Sequence, residues 1–256
     1  MHPRSTTAVL RTRDGLDLAA DIHLPQGTPR GAAVVAHGFT SNRRGRGVRE
    51  QAASLQADGW AVVAHDGRGH GESAGACTLG ALEALDVEAA VGQAREFSDH
   101  VVLVGASMGA ISVLRYAADH PEIAGVVAVS GPAAWKLPRT ARGLLAAMLT
   151  QTRAGRALLD RRLGVTVAPG FTFVESPVEL ATRITSPLAV VHGLDDRMIP
   201  VRAAYDLHAA AAGPRLLELV ERMGHAFEEV GRDAVTAAAG WALERVVLPR
   251  LAPVTA

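Results

Sequence analysis

Val101-Val102-Leu103-Val104-Gly105-Ala106-Ser107-Met108-Gly109 runs from four apolar residues into a G-x-S-x-G and then into a helix-like segment at 110–119. Consecutive apolar residues of strand length suit a strand covered on both faces. Strand, G-x-S-x-G and helix in that order is the layout of a nucleophile elbow, a turn so tight that the serine takes strained backbone geometry. Both glycines are required, because a Cβ at either place would meet the neighbouring strand or helix. The turn lifts the Ser107 hydroxyl above the C-terminal edge of the sheet, where a substrate can reach it. A small Gly/Ser turn in an ordinary packed domain is the alternative, and the strand and helix on either side weigh against it.

Outward from this stretch, apolar runs of strand length alternate with helical patterns. Residues 8–12 and 18–24 read as strands joined by the turn Arg13-Asp14-Gly15, a leading antiparallel hairpin. Further strands are expected at 32–36, 60–65, 126–129, 188–191 and 216–220, and helices at 48–58, 79–97, 203–212 and 230–247. This alternation predicts a doubly wound, mostly parallel α/β sheet with right-handed connections and a site at the carboxyl ends of the strands. The rhythm breaks over 131–185, which holds no convincing strand. Residues 140–149 and 154–163 read as short arginine-rich amphipathic helices. Ala168-Pro169-Gly170 interrupts the chain before Phe171-Thr172-Phe173, and 175–183 reads as a further helix with Pro177 near its start. The expected division is a core of 1–130 and 186–256 with a helical cap of 131–185.

Bulk composition excludes several classes. The 256 residues carry 26 basic and 26 acidic side chains, so no global field draws in nucleic acid or an anionic membrane. One cysteine, Cys77, rules out an internal disulfide and a cysteine zinc site, and reads as a small buried hydrophobe. The first residues are polar and no apolar run approaches a membrane span, so a cytoplasmic protein without stable membrane insertion is expected. His65 and His70 stand near Asp66, but H-E-x-x-H does not occur. Gly67-Arg68-Gly69-His70-Gly71 does not fit a nucleotide loop. Neither a metal nor a cofactor is expected.

A serine at its free pKa is a poor nucleophile and needs a base held by a third group. The order serine, acid, histidine is present. After the run 188–191 comes His192-Gly193-Leu194-Asp195-Asp196-Arg197-Met198-Ile199-Pro200, and after 216–220 comes Glu221-Arg222-Met223-Gly224-His225. Two adjacent aspartates point apart, so one orients the base and the other is free to cap the next turn. A solvent-exposed histidine at a helix start is the alternative for His225.

These motifs resemble those of the α/β-hydrolase superfamily over nearly the whole chain. His37-Gly38-Phe39-Thr40 is similar to its HG oxyanion loop, and Asp66-Gly67-Arg68-Gly69-His70-Gly71-Glu72-Ser73 to its D-x-R-G-x-G-x-S turn. His192 to Pro200 is similar to its H-G-x-x-D-x-x-V-P motif, with Ile199 in place of Val. Met223-Gly224-His225 matches its G-H ending. The resemblance implies Ser107 as nucleophile, His225 as base and Asp196 as the acid, with Asp195 a spacer. The oxyanion donors are then the N–H of Met108, at a helix N-terminus, and of Phe39. His37 braces that loop.

The resemblance is to the small serine carboxylesterases, including monoacylglycerol-lipase-like and cinnamoyl-esterase-like members, and implies a small-molecule ester substrate cleaved through an acyl-enzyme. A thioesterase or C–C bond hydrolase with the same triad, and a non-catalytic binding protein on the same fold, remain alternatives. The charged run Arg43-Arg44-Gly45-Arg46-Gly47-Val48-Arg49 is either a solvated loop or a border of the substrate pocket. In the cap, Leu144, Leu145, Met148, Leu149, Leu158, Leu159 and Leu163 either pack on the core or line an apolar pocket. Pro138 and 168–170 are candidate ends of a mobile lid. Short to medium or aromatic acyl esters are the expected substrates.

Overall fold

The computed structural model describes residues 4–134, 145, 148–170 and 175–251. Its strands are Arg4–Arg11 (β1), Asp17–Leu24 (β2), Gly31–Ala36 (β3), Trp60–His65 (β4), Val101–Ala106 (β5), Gly125–Val129 (β6), Leu188–Gly193 (β7) and Arg215–Val220 (β8). They form one sheet in the order β1-β2-β4-β3-β5-β6-β7-β8. The leading hairpin is antiparallel and β2 joins β4 antiparallel; every later pair is parallel. The helices are Arg46–Ala57 (α1), Ala84–Ala94 (α2), Met108–Ala118 (α3), Arg153–Leu163 (α4), Pro177–Ala181 (α5), Arg202–Ala210 (α6) and Arg232–Leu251 (α7). This is the α/β-hydrolase fold, as the motifs implied.

Burial explains the apolar runs. Every residue of β3, β4, β5, β6 and β7 is buried, because helices cover both faces. Alternate residues divide between two cores. Val34, Leu103, Val126 and Val190 pack on the face covered by α2, α3 and α6, and Val35, Val62, Val104 and Val191 on the face covered by α1 and α7. Leu103 is fully buried, so Leu103→Ala leaves a cavity and costs about 2–5 kcal/mol. Trp60 is equally buried, and its indole N–H reaches Asp58 Oδ2 at 3.1 Å, so no donor is stranded.

One helix starts later than the apolar pattern suggests. The expected start at residue 79 gives way to Ala84, because Glu83 folds back on its own approach loop. Its carboxylate accepts the N–H groups of Thr78 at 2.6 Å and Gly80 at 2.7 Å, and Leu79 and Gly80 take positive φ. That geometry is incompatible with a helix.

Between β6 and β7, two stretches of the described residues are tied to the rest of the fold by backbone pairing or a capped helix. Cys77 pairs with Val167 in an isolated parallel bridge, with Cys77 N–H to Thr166 O at 2.8 Å and Ala168 N–H to Cys77 O at 2.9 Å. Helix α5 begins with Pro177 and a capping box of Ser176 and Glu179, and it buries Leu180 and Ala181 in the same core as β5 and β6. The helix expected at 140–149 falls mostly outside the described residues. So do Pro138, Leu144 and Phe171-Thr172-Phe173.

The chain leaves β3 to form β4 on one side, then returns across to form β5 on the other. The strand order therefore reverses between β3 and β5, and the loops leaving their carboxyl ends flank a crevice.

Candidate active site

Ser107 stands at the end of β5 with φ 54° and ψ −112°. A non-glycine residue held there stores strain of about 1–3 kcal/mol. The surroundings impose it: Ser107 N–H is held by Val129 O at 2.9 Å, and α3 starts at the next residue. A Cβ on Gly105 would collide with the Gly109 carbonyl, and one on Gly109 with the Ala36 carbonyl. The two glycines let β5, α3 and β3 close around the turn. Ser107 occupies the N-cap of α3 without a side-chain cap bond, so its hydroxyl is available elsewhere.

That hydroxyl lies 2.9 Å from His225 Nε2, and His225 Nδ1 lies 2.8 Å from Asp196 Oδ2. A carboxylate only accepts, so Nδ1 carries the hydrogen and Nε2 is left to accept from Ser107. The other Asp196 oxygen, Oδ1, takes the N–H groups of Met198 at 2.7 Å and Ile199 at 2.9 Å. Burial of the side chain alone would raise the Asp196 pKa. The His225 hydrogen bond and the two backbone N–H groups outweigh it and hold the carboxyl below its ordinary value. Asp196 both meets the histidine and caps the following turn. Asp195 does not take the capping role expected of the second aspartate; it is exposed, with its N–H on Met223 O at 3.0 Å.

The two loops meet because Gly193 has no side chain: a Cβ there would strike the carbonyls of Met223 and Gly224. Met223, fully buried, anchors the histidine loop in the core, and Glu228 Oε2 takes the Gly224 N–H at 2.7 Å.

The expected oxyanion loop lies against the serine. A Cβ on Gly38 would stand 3.3 Å from Ser107 Cβ. His37 braces this loop: its Nε2 accepts the Gly67 N–H at 2.9 Å, so its Nδ1 donates to Gly38 O at 2.8 Å. Burial, with the nearby His70 and His65 adding, pushes its pKa down to about 3. His70 packs edge-on against Phe39 with ring centroids 5.9 Å apart. The N–H of Met108 opens α3, where the helix dipole favours negative charge.

The arginine run divides, with only some of it bordering the site. Arg43 is 3% exposed and ion-paired to Asp66, Asp21 and Glu72, with its own N–H on Asp66 Oδ1 at 2.7 Å. It is neither solvated nor open to substrate; it ties the loop after β3 to the turn that begins at Asp66. Arg46 instead lines a cleft of about 170 Å³ beside Ser107 and His225. The other walls include Phe39, Ser41, Gly47 and Phe227. Gly47 belongs to the same run, and its part in the site is a close approach that the charges around it do not signal. A Cβ there would collide with the Phe227 carbonyl and push the histidine loop away.

On another side of the serine, Met108 packs in an apolar cluster with Cys77, Leu159, Val165 and Val167, joined by Phe39, Leu79 and Leu149. Of the leucines and methionine expected to line a pocket or pack on the core, Leu159 and Leu149 belong here. Leu145, Met148, Leu158 and Leu163 are exposed. Cys77 is buried, and burial pushes its thiol pKa well up, away from nucleophilic chemistry. Among the described residues there is no cluster of three or more metal-ligating side chains, and no helix is long and apolar enough to cross a membrane.

Known proteins share this fold. The family model described as serine aminopeptidase, S33 (Hydrolase_4) matches residues 27–165, more than half of the chain. The monoacylglycerol lipase of Mycolicibacterium smegmatis is 30% identical over 237 residues, covering 79% of this chain and 80% of that one. An uncharacterized protein of Bacillus subtilis is 28% identical over 227 residues, covering 86% and 73%. Among solved structures, an esterase of Pyrococcus furiosus superposes with a TM-score of 0.73 at 24% identity, over 95% of this chain and 93% of that one. With the sheet order, the elbow and these matches in hand, the chain belongs to the Hydrolase_4, or S33, family of α/β-hydrolases and is a hydrolase.

Proposed function

We propose that this protein hydrolyses carboxylic esters of small molecules through an acyl-enzyme formed on Ser107. The observation that carries the reading is the unbroken hydrogen-bond chain Ser107 Oγ–His225–Asp196, at 2.9 and 2.8 Å. His225 Nε2 takes the hydroxyl proton as Oγ attacks the ester carbonyl. The oxyanion that forms is held by the N–H groups of Met108 and Phe39. The tetrahedral intermediate collapses, the ester C–O bond breaks, and His225 returns its proton to the departing alcohol. Water then attacks the acyl-Ser107 ester with His225 again as base, releasing the acid and restoring the serine. Asp196 keeps its charge throughout and stabilises the imidazolium.

The leaving alcohol must meet His225 Nε2, so it occupies the cleft that His225 lines. Phe39, Val48 and Phe227 supply apolar wall beside Ser107 for the acyl group. The family's description names an aminopeptidase, which binds a substrate ammonium. Among the described residues no carboxylate lines the cleft to hold one, and Arg46 there is itself paired with Glu50 and Glu229. The similarity to a monoacylglycerol lipase favours the ester.

The experiment is labelling with a fluorophosphonate, followed by turnover of p-nitrophenyl acetate, an acyl-CoA and an aminoacyl-anilide. The expected result is labelling of the wild type, none of Ser107→Ala, and turnover fastest on the ester. Labelling that persists in Ser107→Ala would overturn the nucleophile. Faster cleavage of the thioester or the anilide would overturn the substrate class.

A further inference from the structure

Two buried polar atoms stand beside the acid loop, and the chemistry above uses neither. Ser130 Oγ and His192 Nδ1 are sealed from solvent with no hydrogen-bond partner among the described residues. Burying either unpaired is costly. Ser130 follows β6 directly, and His192 lies in β7. The last pair between those strands is Val129 with Val191, and the Ser130 N–H continues onto Val191 O at 2.9 Å. One residue further along, Ser130 and His192 are the next positions in register, Ser130 just past the end of β6 and His192 still within β7. Ser130 is held there at φ 47°, a strained conformation for a buried serine.

The far edge of the imidazole is engaged. His192 Nε2 lies 3.0 Å from the Ile199 carbonyl, which can only accept, so Nε2 carries the hydrogen. The same nitrogen is 3.6 Å from Asp196 Oδ2, the oxygen that faces His225. Ile199 in turn donates its own N–H to Asp196 Oδ1 at 2.9 Å. One imidazole therefore bears on both oxygens of the acid, on Oδ2 by its dipole and on Oδ1 through Ile199. In this tautomer Nδ1 is a lone-pair acceptor, and the Ser130 hydroxyl is a donor that needs one.

We propose that His192 is a positioning residue for Asp196, and that Ser130 fixes its tautomer through one bridging water that donates to Nδ1. The proposal rests on the triad reading above. A hydrogen donated to Nδ1 leaves Nε2 as the protonated nitrogen. Nε2–H then pins the Ile199 carbonyl and keeps the acid aimed at His225.

The test measures kcat and KM for p-nitrophenyl acetate in His192→Leu, His192→Gln, His192→Asn and Ser130→Ala, in the wild type and in an Asp196→Asn background. Circular dichroism and Tm check the fold. His192→Leu should lower kcat about tenfold, the equivalent of one transition-state hydrogen bond, with KM near wild type. His192→Gln, whose amide N–H reaches the Nε2 position, should recover most of that loss; the shorter Asn should not. Ser130→Ala should lower kcat about threefold, and adding it to His192→Leu should cost nothing more.

In Asp196→Asn, His192→Leu should have no further effect. An equal loss there, or an unchanged kcat in the wild-type background, would overturn the positioning role while leaving the triad intact. An active Asp196→Asn protein would instead overturn the triad reading itself. Should His192→Leu fail to fold, the contrast between Gln and Asn decides, and equal kcat in those two would refute the proposal.

Discussion

Asp196→Asn is a change of one atom whose outcome follows from which way the new amide must face. An asparagine side chain has an accepting end and a donating end. Asp196 Oδ1 accepts two backbone N–H groups, from Met198 at 2.7 Å and Ile199 at 2.9 Å. The amide oxygen must stay there, since an NH₂ in that place would face two donors. The NH₂ then takes the Oδ2 position, 2.8 Å from His225 Nδ1. Two hydrogens cannot share that contact, so the imidazole moves its proton to Nε2. Nε2–H now points at Ser107 Oγ, 2.9 Å away, and can no longer accept its proton.

A triad locked in the wrong tautomer loses about 10⁴-fold in kcat, or about 5 kcal/mol at ~1.4 kcal/mol per tenfold. Asp195→Asn should change kcat little, because the side chain is exposed and surface substitutions stay within about 0.5 kcal/mol. The assay is stopped-flow acylation by p-nitrophenyl acetate, with each protein's fold checked by circular dichroism. Acylation by Asp196→Asn within tenfold of wild type would refute the tautomer argument, and greater damage from Asp195→Asn would move the acid by one residue.

Two further outcomes are expected. His37 and His65 are buried in the fold, which pushes their pKa values down to about 3 and about 4. The unfolded chain, near pKa 6.5, then binds protons that the fold excludes, so stability is lost as pH falls from about 6.5 toward those values. At ~1.4 kcal/mol per histidine per pH unit, roughly 4 kcal/mol should disappear between about pH 7 and pH 5. Urea unfolding across that range measures it, and a loss under about 1 kcal/mol would mean these imidazoles are not desolvated. For substrate size, kcat/KM along p-nitrophenyl esters from acetate to palmitate should rise by up to about 0.8 kcal/mol per buried methylene and then stop. A rise continuing to palmitate would contradict a short acyl site in a cleft of about 170 Å³.

Much of the fold was legible in the sequence because of one physical constraint. Strands covered on both faces must be apolar throughout, so β4 was bounded at Trp60 and His65 as the structure has it, and the other central strands within two residues. The elbow was legible because only glycine tolerates the approaches at 105 and 109. The loop after β7 was legible as a place; the preference for Asp196 over Asp195 came from a resemblance and not from spacing. The late start of α2 was not legible, because a side-chain carboxylate competing for backbone N–H groups leaves no periodic trace.

Apolar periodicity and glycine spacing, read along the chain, thus determined the α/β sheet, the elbow at its edge and the loops that could meet it. Only the tertiary structure decided what those loops do to one another. It turned Asp196 inward and left Asp195 exposed, and it buried Arg43 against Asp66 and Asp21 while leaving Arg46 on the cleft. It also set the His192 ring against the Ile199 carbonyl, beside Asp196. The reason is that burial and hydrogen-bond partnership belong to pairs of residues, and these partners are brought together by crossings of the sheet that no local stretch of sequence encodes.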